Sequence, residues 1–161
     1  VPDIDLDPYF NAADPSGPAT LTPVFNGAIQ EILSEIDASQ NVLIIIATDG
    51  TPTDRTGKVD VGAKEFAKAL KNRQHKGRVF VSIMLCTDDE AAVGPFTRMD
   101  KISGVDINDD FFTMRERVRK HKGKEFPFTY GDYLLKVFLG SMLREFDNLD
   151  GSGGMMSKIF G

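Results

Sequence analysis

The chain has 161 residues, 41% of them apolar and 27% charged, a composition that reads as one globular domain with enough length to bury a sizeable core. A formal net charge of −5 argues against nucleic acid or an anionic membrane surface as the main partner, since both require a basic face. No apolar run is long enough to span a bilayer, and the N-terminus lacks a basic-then-apolar targeting pattern.

Residues 1–18 are rich in Asp, Pro and Gly, and the alternation Asp3-Ile4-Asp5-Leu6-Asp7 predicts an edge strand presenting Ile4 and Leu6 to a core. The first residue is Val1, not Met, which is the mark of a processed chain or of a piece of something longer. From Pro23 the period changes. Val24, Phe25, Ala28, Ile29, Ile32, Leu33 and Ile36 form one stripe at helical spacing, with Thr22 as N-cap and Pro23 at the first helical position. Val42-Leu43-Ile44-Ile45-Ile46-Ala47-Thr48 is an apolar, mostly β-branched run, which predicts a central strand of a parallel sheet buried on both faces.

After a polar loop, a helix capped by Asp60 turns Ala63, Phe66, Ala67 and Leu70 inward, and Val79 to Leu85 is a second apolar strand. Strand, helix and strand make one parallel crossover unit. Cys86 is the sole cysteine, so no internal disulfide is available. Its place at the end of an apolar run predicts a buried thiol in a reducing, cytoplasmic setting. Thr87-Asp88-Asp89-Glu90 starts a helical segment ending near Ile102, and Val105-Asp106-Ile107 is a short edge strand. Asp109 and Asp110 open a helix to about Lys120, whose basic last turn suits the helix dipole. Arg115, Arg117, Arg119, Lys120, Lys122 and Lys124, diluted by Glu116 and Glu125, read as its solvated face. The last regular element runs from Tyr130 to about Phe146 and has so little polar surface that deep burial is expected. Residues 149–161 form a Gly/Ser-containing tail.

Asp49 emerges at the carboxyl end of its strand, where ligands bind in open α/β sheets. Asp49-Gly50 is also a good tight turn in its own right. Thr22-Pro23-Val24 opening a helix, together with an apolar strand ending in Thr48-Asp49-Gly50-x-Pro52-x-Asp54, resembles the von Willebrand factor A (vWA) domain family. The resemblance implies a doubly wound α/β fold, a mostly parallel sheet with helices on both faces, over residues 1–148. It also implies a metal-ion-dependent adhesion site with Thr22 at the threonine position (Thr20 as the alternative) and Asp49 at the aspartate position. The ion would be Mg²⁺, or Mn²⁺ or Ca²⁺, with Asp54 as an outer carboxylate. A coordination position left open would take an acidic side chain from a protein partner, because a bound cation inverts the local field.

The family's Asp-x-Ser-x-Ser and the strand before it have no counterpart here. Asp14-Pro15-Ser16 runs on to Pro18, and Asp150-Gly151-Ser152 runs on to Gly154 where the second serine should stand. The domain is therefore expected to be incomplete, with an open sheet edge that pairs with a missing segment or with another chain.

The same string, Ile46-Ala47-Thr48-Asp49-Gly50-Thr51, also resembles the first motif of haloacid-dehalogenase-type phosphohydrolases. Ala47 stands where that family has its nucleophilic Asp, so the resemblance implies no such chemistry and no enzyme is expected. A third reading keeps the vWA-like fold without the metal, as an intracellular scaffold whose tail residues Met155, Met156, Ile159 and Phe160 dock on a partner or pack back on the domain.

Overall fold

The computed structural model of the chain describes residues 17–151. The Asp3–Asp7 strand, the Asp14-Pro15-Ser16 loop and the tail apolar residues lie outside the described residues. Helix α1 (Leu21–Glu35) leads to strand β1 (Val42–Thr48), helix α2 (Val59–Asn72) and strand β2 (Val79–Leu85). Helix α3 (Glu90–Thr97) and a 3₁₀ turn (Met99–Lys101) precede strand β3 (Val105–Asn108). Helices α4 (Phe111–Lys122), α5 (Tyr130–Leu139) and α6 (Arg144–Asp147) follow. The strands form one parallel sheet in the order β1-β2-β3, with Val42 opposite Val79 and Val81 opposite Val105. The architecture is α/β.

Strand alternation divides the core in two. Val81, Ile83, Val105 and Ile107 pack on one side with Phe25 and Ile29 of α1 and Phe66 and Leu70 of α2, and the Phe25 and Phe66 rings meet edge to face. Met84 joins the other side, where Met114 and Val118 of α4 meet Phe128, Tyr133 and Val137. Helices thus lie on both faces.

The strand buried on both faces is β2, not β1. Among the described residues β1 pairs only with β2, and Ile45 on its second face is 40% exposed. The β-branched run that predicted a central strand is matched in β2 by one flanked on both sides.

Three helix boundaries also differ from expectation. Thr20, not Thr22, holds the N-cap of α1 and makes no side-chain cap bond. Pro23 is the third helical residue, where its missing N–H costs nothing because first-turn donors have no intrahelical partner. Val24, assigned to the inner stripe, is 69% exposed. Helix α2 starts at Val59 with Lys58 at the cap, so Asp60 lies in its first turn. Asp54 organises the approach instead, its Oδ1 accepting from the Thr56 and Lys58 backbone N–H groups and the Thr56 hydroxyl.

Helix α5 stops at Leu139, well short of Phe146, and only its face carrying Tyr133 and Val137 is buried. Leu134, Leu135 and Phe138 are exposed, whereas Lys136 is fully buried. Cys86, expected to be buried, is exposed one residue beyond β2. Asp110 caps α4 by accepting from the N–H groups of Phe112 and Thr113, and its neighbour Asp109 pairs with Arg117 at 2.6 Å.

Candidate functional site at the carboxyl rim of the sheet

The loop after β1 is built by short-range hydrogen bonds. The Thr48 hydroxyl donates to the Gly50 carbonyl at 2.9 Å and turns the chain at Asp49-Gly50. Pro52 is buried, and the Thr53 N–H donates to the Ala19 carbonyl at 2.9 Å, tying this loop to the residues that lead into α1. Gly62 of α2 allows the approach, because a Cβ there would collide with the Thr53 and Asp54 backbone. The only signal of this role in the residues is a glycine in the first turn of an amphipathic helix.

These contacts bring Thr20, Thr22 and Asn26 of the α1 segment together with Thr53, Asp54 and Arg55 around a cleft of about 240 Å³. Thr22 is half-buried, and its hydroxyl has no hydrogen bond among the described residues. Asp49 is exposed at the end of β1, and its carboxylate likewise has no ion pair or hydrogen bond there. Asp49 does not line the cleft; besides Glu65, the carboxylate that does is Asp54. Its hydrogen bonds from Lys58 and Thr56 hold it below the usual carboxylate range, so it is ionised at neutral pH. Arg55 brings a guanidinium to the same cleft.

As a donor set for Mg²⁺, Thr22 and Asp49 offer a hydroxyl and a carboxylate oxygen, both hard and neither engaged elsewhere. Asp54 has one oxygen committed to its own turn. Each group is chemically suited to a hydrated divalent ion, but the cleft brings Thr22 together with Asp54 and Glu65 and not with Asp49.

A second polar constellation escaped the sequence reading. Ser82, Asp106 and Asn108 line one face of β2 and β3 and are fully buried. The Asn108 side-chain amide donates to Ser82 Oγ at 3.2 Å and to Asp106 Oδ2 at 3.0 Å, and Lys136 Nζ lies 3.0 Å from Asp106 Oδ1. Asp150 Oδ2 is 3.9 Å from the same ammonium. Asp100 Oδ1 accepts from the Ile107 N–H at 3.1 Å, and oxygens of Asp100, Asp106 and Asp147 lie within 4.8 Å of one another. The Lys136 ammonium supplies a positive charge at this cluster. Burial, then the neighbouring Asp106 charge, pushes the Asp100 carboxyl up to about 7, and the same causes push Asp147 to about 6.

Compared with known protein families, with curated proteins and with solved structures, the chain finds no match in any of the three.

Proposed function

We propose that the chain is a non-enzymatic, vWA-type protein-binding module that engages an acidic side chain of its partner through a divalent metal at the carboxyl rim of the sheet. The observation that carries this reading is the joining of the loop after Asp49 to the segment that opens α1, through the Thr53–Ala19 hydrogen bond and the cleft shared by Thr22 and Asp54. Sheet ends of this kind collect ligands because loops from several strands converge on a rigid support. Thr22 and Asp49 would hold Mg²⁺ or Mn²⁺, with water at other positions and one left for the partner's carboxylate. The ion supplies the attraction that a rim carrying Asp49 and Asp54 otherwise denies to an acidic ligand.

Calorimetric titration of the chain with Mg²⁺ and Mn²⁺ tests this reading. Saturable binding that disappears in Asp49→Ala and weakens in Thr22→Val supports it. No heat of binding and no change in melting temperature with either ion leaves the metal-independent scaffold. That second reading draws on the exposed apolar residues Leu134, Leu135 and Phe138 of α5 and on the edge of β1 that is unpaired among the described residues.

A further inference from the structure

The cluster around Lys136 is assembled from five places in the chain: Asp100 from the 3₁₀ turn, Asp106 from β3, Lys136 from α5, Asp147 from α6 and Asp150 from the residues after it. Asp106 and Lys136 are fully buried, and the Asp150 side chain is 1% exposed. Gly140 lets the end of α5 come down on this group, since a Cβ there would collide with the Asp106 carboxylate. Leu149 packs beside the Met114–Val118 core, so the segment from Arg144 to Asp150 is seated partly by an apolar contact and partly on the cluster.

Four carboxyls facing one ammonium in a dry setting are not all ionised together at moderate cost. Like charges a few ångströms apart favour the neutral form of some members. The protons needed to seat the segment therefore come from solvent. We propose that residues 144–150 form a proton-operated latch, held on β3 while the carboxyls of Asp100 and Asp147 share protons with the Asp106–Lys136 pair and loosened when both ionise.

The charged groups acting on Asp100 are Asp106, Asp147 and Lys136, and those acting on Asp147 are Asp106, Lys136, Asp150 and Arg144. Asp109, held by Arg117, lies further along the same field and feels Asp150 and Lys136. Burial and the Asp106 charge raise both latch carboxyls, to about 7 and about 6, so the folded form binds protons that the unfolded chain releases near the ordinary value of 3.8. The seated state therefore loses ground as pH rises from about 4 to about 7 and levels off above that. Release takes Leu149 off the second core, while the Ile107 N–H keeps its bond to Asp100, whose ionised carboxylate is the stronger acceptor.

Amide hydrogen exchange on the full 161-residue chain reads the latch directly, with rates corrected for their intrinsic pH dependence. The N–H groups of Phe146 and Asp147 donate to the Leu143 carbonyl just before the segment and those of Asn148 and Leu149 to carbonyls within it, so all four report its seating. Their protection is expected to fall about tenfold between pH 5.5 and 8, while β2 amides keep theirs; Asp147→Asn should shrink the fall by removing one titrating member, and Asp147→Asn with Asp100→Asn should abolish it. Side-chain carboxyl carbons followed by NMR supply the second measurement, in which Asp100 and Asp147 titrate near neutrality. A protection pattern that is flat across this range, or carboxyls that both titrate below pH 5, overturns the proposal. Neither result bears on the metal titration, because Asp49 and Thr22 are outside the cluster.

Discussion

Lys136 Nζ lies 3.0 Å from Asp106 Oδ1 with both side chains fully buried, an ion pair that pins the middle of α5 to the middle of β3. Asn108 holds the other Asp106 oxygen, so the carboxylate is braced on both sides. The pair is better as a specifier of how α5 seats than as a source of net stability, because desolvation of two ions offsets much of their attraction.

Lys136→Met is therefore the informative substitution. It leaves the Asp106 carboxylate without its cation among Asp100, Asp147 and Asp150, and the expected cost is about 3–5 kcal/mol in denaturant unfolding. The double variant Lys136→Met with Asp106→Asn should recover most of that loss, because it removes the stranded charge together with its partner. If the single variant loses under 1 kcal/mol, the ammonium is not what holds α5 in place.

Global stability should peak in mildly acid solution. Asp110 and Asp132 are held below the ordinary carboxylate value, mainly by hydrogen bonds from Thr113 and Thr129, so their contribution is present above 3.8 and fades as pH falls through their folded values. Asp100 and Asp147 act in the opposite sense, favouring the folded state less as pH climbs from about 4 to about 7. The melting temperature is expected to be higher at pH 5 than at pH 7.5. Asp100→Asn should make the neutral limb shallower, leaving the part due to Asp147, without touching the acid one, a comparison made by calorimetry at both pH values.

The strands were the legible part of the chain. Val42–Thr48 and Val79–Leu85 are apolar runs whose β-branched residues leave little choice of backbone, and their parallel pairing follows from the helix between them. Which strand is central was not legible, because both runs look alike and only pairing partners tell them apart. The rim carboxylate Asp49 was readable from the same strand ending. Lys136 was not, since a lysine among Leu134, Leu135 and Phe138 reads as that helix's solvent face. A signal was nonetheless present: Asp106 and Asn108 alternate with Val105 and Ile107 along a short strand and so share one face, and polar groups on a buried face require a partner. Tyr133, Lys136, Val137 and Gly140 share one helical face, which places the lysine with that partner.

Gly62→Ala separates helix propensity from packing at the rim. Alanine is worth about 1 kcal/mol over glycine inside a helix, so a site with room would be stabilised. Here the new methyl meets the Thr53 and Asp54 backbone, and forcing that contact costs about 1–3 kcal/mol. The variant is expected to melt lower than the parent and to weaken any Mg²⁺ response, because the loop carrying Asp54 moves away from Thr22. Unchanged melting would mean the loop shifts without consequence.

Arg73 is the test of what joins the two ends of the crossover. Its buried guanidinium donates to three carbonyls: Nε to Val79 at 2.9 Å, one terminal nitrogen to Leu70 at 2.7 Å and the other to Ser103 at 2.6 Å. The end of α2, the start of β2 and the turn before β3 thereby share one planar cation, and Gly104, at φ +71°, gives that cation room. Burial lowers the guanidinium's affinity for its proton, yet arginine holds that proton so tightly that it stays charged at physiological pH. Lysine carries the charge without the fork and reaches at most part of this set. Arg73→Lys should therefore lose about 2 kcal/mol, and Arg73→Ala, which leaves three carbonyls without their donor, about 3 kcal/mol or more. Chemical denaturation ranks the two, and an Arg73→Lys variant as stable as the parent would show that charge, not the fork, is what the three carbonyls require.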